Sequence, residues 1–243
     1  IGLGLATKIS QAPILFAYAM AHILFLANAV GRDKAHTTAL ERARISLQGI
    51  GGGVAAMLVA LLVVQPYMFL DWSNFYSDVV EQSEMVRRIR DSPYTRQYID
   101  PPPYWYQIRQ LATWGLGWPM GIVAWAGLVY AGLRSTPVRF GLAYLALGWA
   151  APMLLLCFST SILVVLASSL MAFMATVAMI PLKRRQARPD LLLLAWVLPY
   201  LLIIGALEVK FVRYLLPVTP ILLIFGARLV IEVWERVSNN FPK

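Results

Sequence analysis

The sequence predicts an all-α polytopic integral membrane protein with about seven complete transmembrane helices, preceded by the end of another. Three observations predict it. Of 243 residues, 59% are hydrophobic and only 14% are charged. The apolar residues fall in long uninterrupted blocks, which excludes an ordinary soluble domain. Stretches of about 20 apolar residues, the length that crosses roughly 30 Å of hydrocarbon, recur along the chain.

Residues 1–8 have neither an initiator Met nor a basic start followed by a signal-peptide core. They read as the end of a helix, so residues 1–243 are expected to form a single transmembrane domain at the C-terminal part of a longer chain. Complete spans follow at Ala12 to Val30, Ile50 to Val64, Leu111 to Leu133, Phe140 to Phe158, Ile162 to Leu182, Leu191 to Leu207 and Leu215 to Trp234. The stretch 140–182 contains no charge, and at 1.5 Å per residue it is about twice the bilayer thickness. It must cross twice, turning near Ser159, Thr160 and Ser161.

Lys and Arg in the connections orient these spans. Arg32, Lys34, Arg42, Arg44, Arg134, Arg139, Lys183, Arg184, Arg185, Arg188, Arg236 and Lys243 fall on one side, read as cytoplasmic. Lys8, the connection 65–110, the Ser-Thr-Ser turn and the segment 208–214 fall on the other. The long connection has five Arg but also six acidic residues, and long translocated segments weigh little in the rule. Within it, Phe75, Val79, Val86 and Ile89 recur at helical spacing among charged residues, predicting an amphipathic helix on the membrane surface. The proline- and tyrosine-rich stretch 91–106 then reads as an ordered loop at a wet interface.

The net charge of +9 does not point to nucleic acid, because the basic residues flank spans, where anionic lipid headgroups are their partners. The one cysteine, Cys157, excludes an intrachain disulfide and a cysteine metal cluster. His22 lies within a span and His36 in a loop, without ligands at suitable spacing. A divalent cation held by carboxylates such as Glu208 stays open. Gly51, Gly52 and Gly53 lack the following Lys-Ser or Lys-Thr of a nucleotide loop, and close helix packing explains them better.

The string Glu208-Val209-Lys210-Phe211-Val212-Arg213-Tyr214 puts three charges between two spans. Lys210 and Arg213, three apart, project together if the segment is helical, making a cationic pocket for phosphate. Snorkelling anchors are the alternative. Lys8, on the same side, is either a further phosphate contact or an anchor. Arg96, Tyr98 and Tyr104 in the outer connection suit sugar hydroxyls and phosphate, or equally an aromatic belt at the headgroups.

Gly4 to Lys8, the loop Pro93 to Tyr98 with Tyr104 to Gln110, and Glu208 to Pro217 resemble the C-terminal part of bacterial lipid-carrier-dependent glycosyltransferases. These have the C-type membrane glycosyltransferase fold and are related to the protein O-mannosyltransferases and the aminoarabinose transferases. The resemblance implies sugar transfer from a polyprenyl-phosphate donor to an acceptor on the outer face of the bacterial inner membrane. It implies that Lys8, Lys210 and Arg213 hold the lipid phosphate, with Glu208 as a metal or sugar contact. The catalytic carboxylate would lie in a first outer loop before Ile1. The hairpin 140–182 departs from the family's short basic loop and reads as a lipid-facing or partner-facing addition. It keeps open a non-catalytic membrane subunit that docks to a larger complex through that hairpin. A transporter is a weaker reading, because no span carries a mid-membrane acidic residue.

Overall fold

The computed structural model describes residues 1–27, 38–136, 138–180 and 188–240, with the side chains of residues 138, 139, 188 and 240 set aside. Arg32, Lys34, His36, Lys183, Arg184, Arg185 and Lys243 lie outside the described residues, as do the side chains of Arg139 and Arg188. Every described element is helical. In chain order they are α1 (Gly2–Thr7), α2 (Ile14–Leu26), α3 (Ala39–Val64), α4 (Tyr67–Leu70), α5 (Trp72–Val86), α6 (Trp105–Gln110), α7 (Trp118–Arg134), α8 (Val138–Leu145), α9 (Ala151–Phe158), α10 (Ile162–Val177), α11 (Arg188–Ala206) and α12 (Thr219–Asn240).

A helix stands at each predicted span, and local chemistry shifts several boundaries. α3 begins well before Ile50, because the Thr38 hydroxyl accepts from the Glu41 N–H at 3.2 Å and caps a helix that includes Arg42 and Arg44. The span predicted from Leu111 is interrupted. Leu111–Gly115 is a π-helical turn, Gly117 adopts φ 77°, and α7 restarts at Trp118 with proline in its first turn. α8 and α9 are joined through a second π-helical turn, Ala146–Ala150. It precedes Pro152, whose missing N–H and bulky ring would disrupt a regular ladder at that point. The hairpin turns at Ser159–Ser161 as expected, where the Ser161 N–H donates to Ser159 Oγ at 3.2 Å.

Four helical stretches are long and apolar enough to cross a membrane: Ile9–Leu26, Ala39–Val64, Phe140–Phe158 and Pro189–Ala206. α7 and α10 are shorter, at 17 and 16 residues, and α12 carries Arg228, Glu232, Glu235 and Arg236. α11 is central: 67% of its apolar window is buried, against 6% for α3, which lies at the periphery. Leu194, Val197, Leu198 and Tyr200 of α11 meet Met20, Tyr144, Phe173 and Phe225 in one core. α7 and α12 approach closely because Gly127 lies against the backbone of Phe225 and Gly226.

The hairpin is a layer of this core, not an appendage. Tyr144, Leu156, Ala172, Phe173 and Thr176 are buried, and Phe173 packs on Phe16 with ring centroids 5.0 Å apart. The hairpin's outer face leaves Leu142, Leu154, Phe158, Leu163 and Leu166 exposed, a surface suited to hydrocarbon. At one end of the bundle, Arg134 of α7 reaches Glu232 of α12 at 2.8 Å, and Arg228 bonds Asp190 in the first turn of α11. This network gathers the three helices at the end that the charge pattern assigns to one side.

Candidate functional site

At the opposite end, α11 stops at Ala206 and leaves carbonyls without helical partners. The outer connection supplies the donors. Tyr104 donates its N–H to Gly205 O and its hydroxyl to Leu202 O, each at 3.1 Å, while Gln107 Nε2 donates to Ile204 O at 2.9 Å. Tyr104 adopts a positive φ of 61°, uncommon for a residue with a side chain, which these two bonds hold in place. Lys210 completes the cap: its ammonium donates to Gly205 O at 3.4 Å and to Leu207 O. Only 1% of Lys210 is exposed. Burial holds its ammonium below the usual lysine range, with nearby Glu208 acting the other way.

Lys210 and Arg213 therefore do not project together. Lys210 precedes the 3-10 turn Val212–Leu215 and faces inward, whereas Arg213 is exposed. The structure instead brings Arg213 together with Lys8. Lys8 Nζ lies 3.7 Å from the centroid of the Tyr214 ring. The Arg213 guanidinium stacks 4.3 Å over Phe211 and lies 6.0 Å from the same Tyr214 centroid. Burial, and then the charge of Arg213, lower the Lys8 pKa from its ordinary value. Among the described residues neither cation makes an ion pair.

The aromatic platform is built in layers. Phe211 meets Tyr214 edge to face at 5.5 Å and Tyr98 at 5.1 Å, and Tyr98 meets Tyr106 at 6.1 Å. Tyr98 thus supports the platform from behind. The Tyr214 carbonyl accepts from Tyr200 of α11 at 2.6 Å, which ties the turn to the central helix. Arg96 takes a different role: it pairs with Asp91 at 2.6 Å on the exposed loop.

Beside the platform opens a cleft of about 640 Å³. The amphipathic helix is present as α5, but it forms a wall of this cleft through Phe75, Asp78, Val79, Gln82, Ser83 and Val86. The predicted apolar stripe ends early, since Ile89 lies beyond α5 and is 65% exposed. A bond from the Val209 N–H to Val86 O at 3.0 Å fixes the end of α5 against the segment 208–214. Lys8, Ser10, Gln65, Thr160 and Tyr214 supply further polar groups, and Ile162, Val165, Ile203 and Leu207 supply an aliphatic wall. The cleft is amphipathic, with Lys8 and Arg87 as its cations and hydrocarbon-like sides.

A second cavity of about 260 Å³ lies among Tyr104, Gln107, Trp125, Trp149 and Leu198, with no charged residue in its lining. His22 is occupied elsewhere, its Nδ1 lying 3.0 Å from Ser46 Oγ between α2 and α3. No group of three or more His, Cys, Asp or Glu capable of holding a metal occurs among the described residues. Sequence reasoning missed Tyr214 as the shared platform and the cleft-facing side of α5. A tyrosine directly after Arg213 was the available signal for the first. No family model, curated protein or solved structure matches the chain.

Proposed function

We propose that the chain is the C-terminal part of a membrane glycosyltransferase that moves a sugar from a polyprenyl-phosphate donor to an acceptor on the outer face of a bacterial inner membrane. The observation that carries this reading is the pair Lys8 and Arg213 on one aromatic platform, beside an amphipathic cleft. Two unpaired cations make a receptor for an anion, and an amphipathic cleft suits a ligand with a polar head and a hydrocarbon tail. The residues that converge are also residues that carry the resemblance.

In this reading all seven long helical segments span the membrane. The exposed apolar faces of α3 and the hairpin meet lipid, and 65–110 and 208–214 form the outer surface. Transfer breaks the bond between the anomeric carbon and the phosphate oxygen and forms one to an acceptor oxygen. The leaving phosphate gains negative charge as that bond breaks. Lys8 and Arg213 stabilise it most when its charge is greatest, which lowers the barrier. The acceptor's proton goes to a general base, which the resemblance takes to be a carboxylate. Lys210 contributes by holding the end of α11 under the platform.

The reading is tested by Lys8→Ala and Arg213→Ala in the full-length protein in nanodiscs. Each is expected to lower transfer from a polyprenyl-phosphate sugar by roughly tenfold or more, the scale of one charged hydrogen bond. Normal transfer by both variants would reject the site.

A further inference from the structure

α5 presents its polar groups to the cleft in a pattern that a bare lipid phosphate does not require. Asp78 and Gln82 are four residues apart and both line the cleft, so they sit one above the other on one face. Among the described residues Asp78 makes no ion pair. Arg87, on the same wall, already directs its Nε to Ser83 O at 3.1 Å. Apart from Lys8 and Tyr214, the remaining polar lining consists of Ser10, Gln65, Ser83 and Thr160, neutral groups that exchange hydrogen bonds readily with hydroxyls.

A carboxylate beside an anion site repels the anion, so it does not serve the phosphate. It accepts hydrogen bonds only, with two oxygens side by side, and adjacent hydroxyls of a sugar present the complementary donors. We infer that Asp78, assisted by Gln82, binds vicinal hydroxyls of a neutral sugar carried beyond the lipid phosphate. The cleft then divides one amphiphile among three chemistries. Lys8 and Arg213 take the phosphate, α5 takes the sugar, and the aliphatic wall takes the start of the chain. This inference rests on the glycosyltransferase reading.

The test uses the full-length protein in nanodiscs, with undecaprenyl phosphate and the same lipid carrying glucose, mannose or an amino sugar as probes. Asp78→Asn and Asp78→Ala should weaken binding of the glucose and mannose lipids by roughly tenfold, the scale of a charged hydrogen bond. Binding of undecaprenyl phosphate alone should be unchanged or tighter, and Lys8→Ala should weaken every probe. Equal weakening of the bare and glycosylated lipids by Asp78→Ala, or no effect on either, overturns the inference. A dependence on Asp78 confined to the amino sugar overturns it in favour of ammonium pairing. If the wild-type protein binds undecaprenyl phosphate but gains nothing from the sugar, the inference alone fails. If it binds no undecaprenyl phosphate, the reading of the cleft fails with it.

Discussion

Lys8 Nζ lies 3.7 Å from the centre of the Tyr214 ring, and the Arg213 guanidinium lies 6.0 Å from the same centre. Two like charges from distant parts of the chain thus share one aromatic surface. A cation over a tyrosine face contributes about 0.5–2 kcal/mol, which offsets part of their mutual repulsion. The arrangement puts Lys8 in the lining of the cleft and holds Arg213 beside the same Tyr214 ring.

Tyr214→Leu should remove that platform. Binding of undecaprenyl phosphate is expected to weaken several-fold, whereas Tyr214→Phe, which keeps the ring face, should retain most of it. Isothermal titration of the full-length protein in nanodiscs separates the two. Equal loss in both variants would place the effect in the hydroxyl instead of the ring.

The pH dependence has a definite sign. Burial and Arg213 lower the Lys8 pKa, so its charge is lost at a lower pH than that of an ordinary lysine. Lipid-phosphate affinity should therefore fall as pH rises through that lowered value. Arg213→Gln removes the like charge and should move the fall to higher pH, though binding at neutral pH becomes weaker. An unmoved midpoint would show that Lys8 does not govern the titration.

Lys210 behaves differently because it is structural. Lys210→Ala removes the donor to Leu207 O and one of the two donors to Gly205 O, at a cost of about 1–3 kcal/mol. Thermal unfolding in detergent should show the loss, while Lys8→Ala should change stability little. Burial lowers the folded-state pKa of Lys210 below its unfolded value. Its unfolded form then binds the proton more tightly, so its contribution makes stability rise with pH between the two values.

The network at the other end makes a separate prediction. Asp190 is 1% exposed and receives Arg228, with Arg134 at 3.8 Å. Asp190→Ala removes the buried carboxylate while both guanidinium groups keep Glu232, and should destabilise the fold by about 1–3 kcal/mol. The same unfolding assay measures it. A change below about 1 kcal/mol would show that the network is solvated.

The helical class, the hairpin turn at Ser159–Ser161 and the amphipathic helix were legible in the sequence, because apolar length and helical period are local signals. The break before Trp118 was not, since Leu111 to Leu133 is apolar throughout and only Gly117 and Pro119 mark the interruption. The site was half legible. Arg213 and Lys8 stood out as charges beside spans, but their pairing depends on the folding of distant segments onto each other. Lys210 looked equivalent to Arg213 in spacing, yet the extended backbone at Phe211 turns one inward and leaves the other exposed. Asp78 looked like part of a water-facing stripe, because the sequence does not show what lies across from α5.

The central claim is that Lys8 and Arg213 jointly receive a lipid-linked phosphate. Titrating undecaprenyl phosphate into the full-length protein in nanodiscs, wild type against the double variant Lys8→Ala and Arg213→Ala, tests it most directly. The account predicts saturable binding by the wild type, and its loss in the double variant at an unchanged unfolding temperature. Equal binding by both proteins would contradict it.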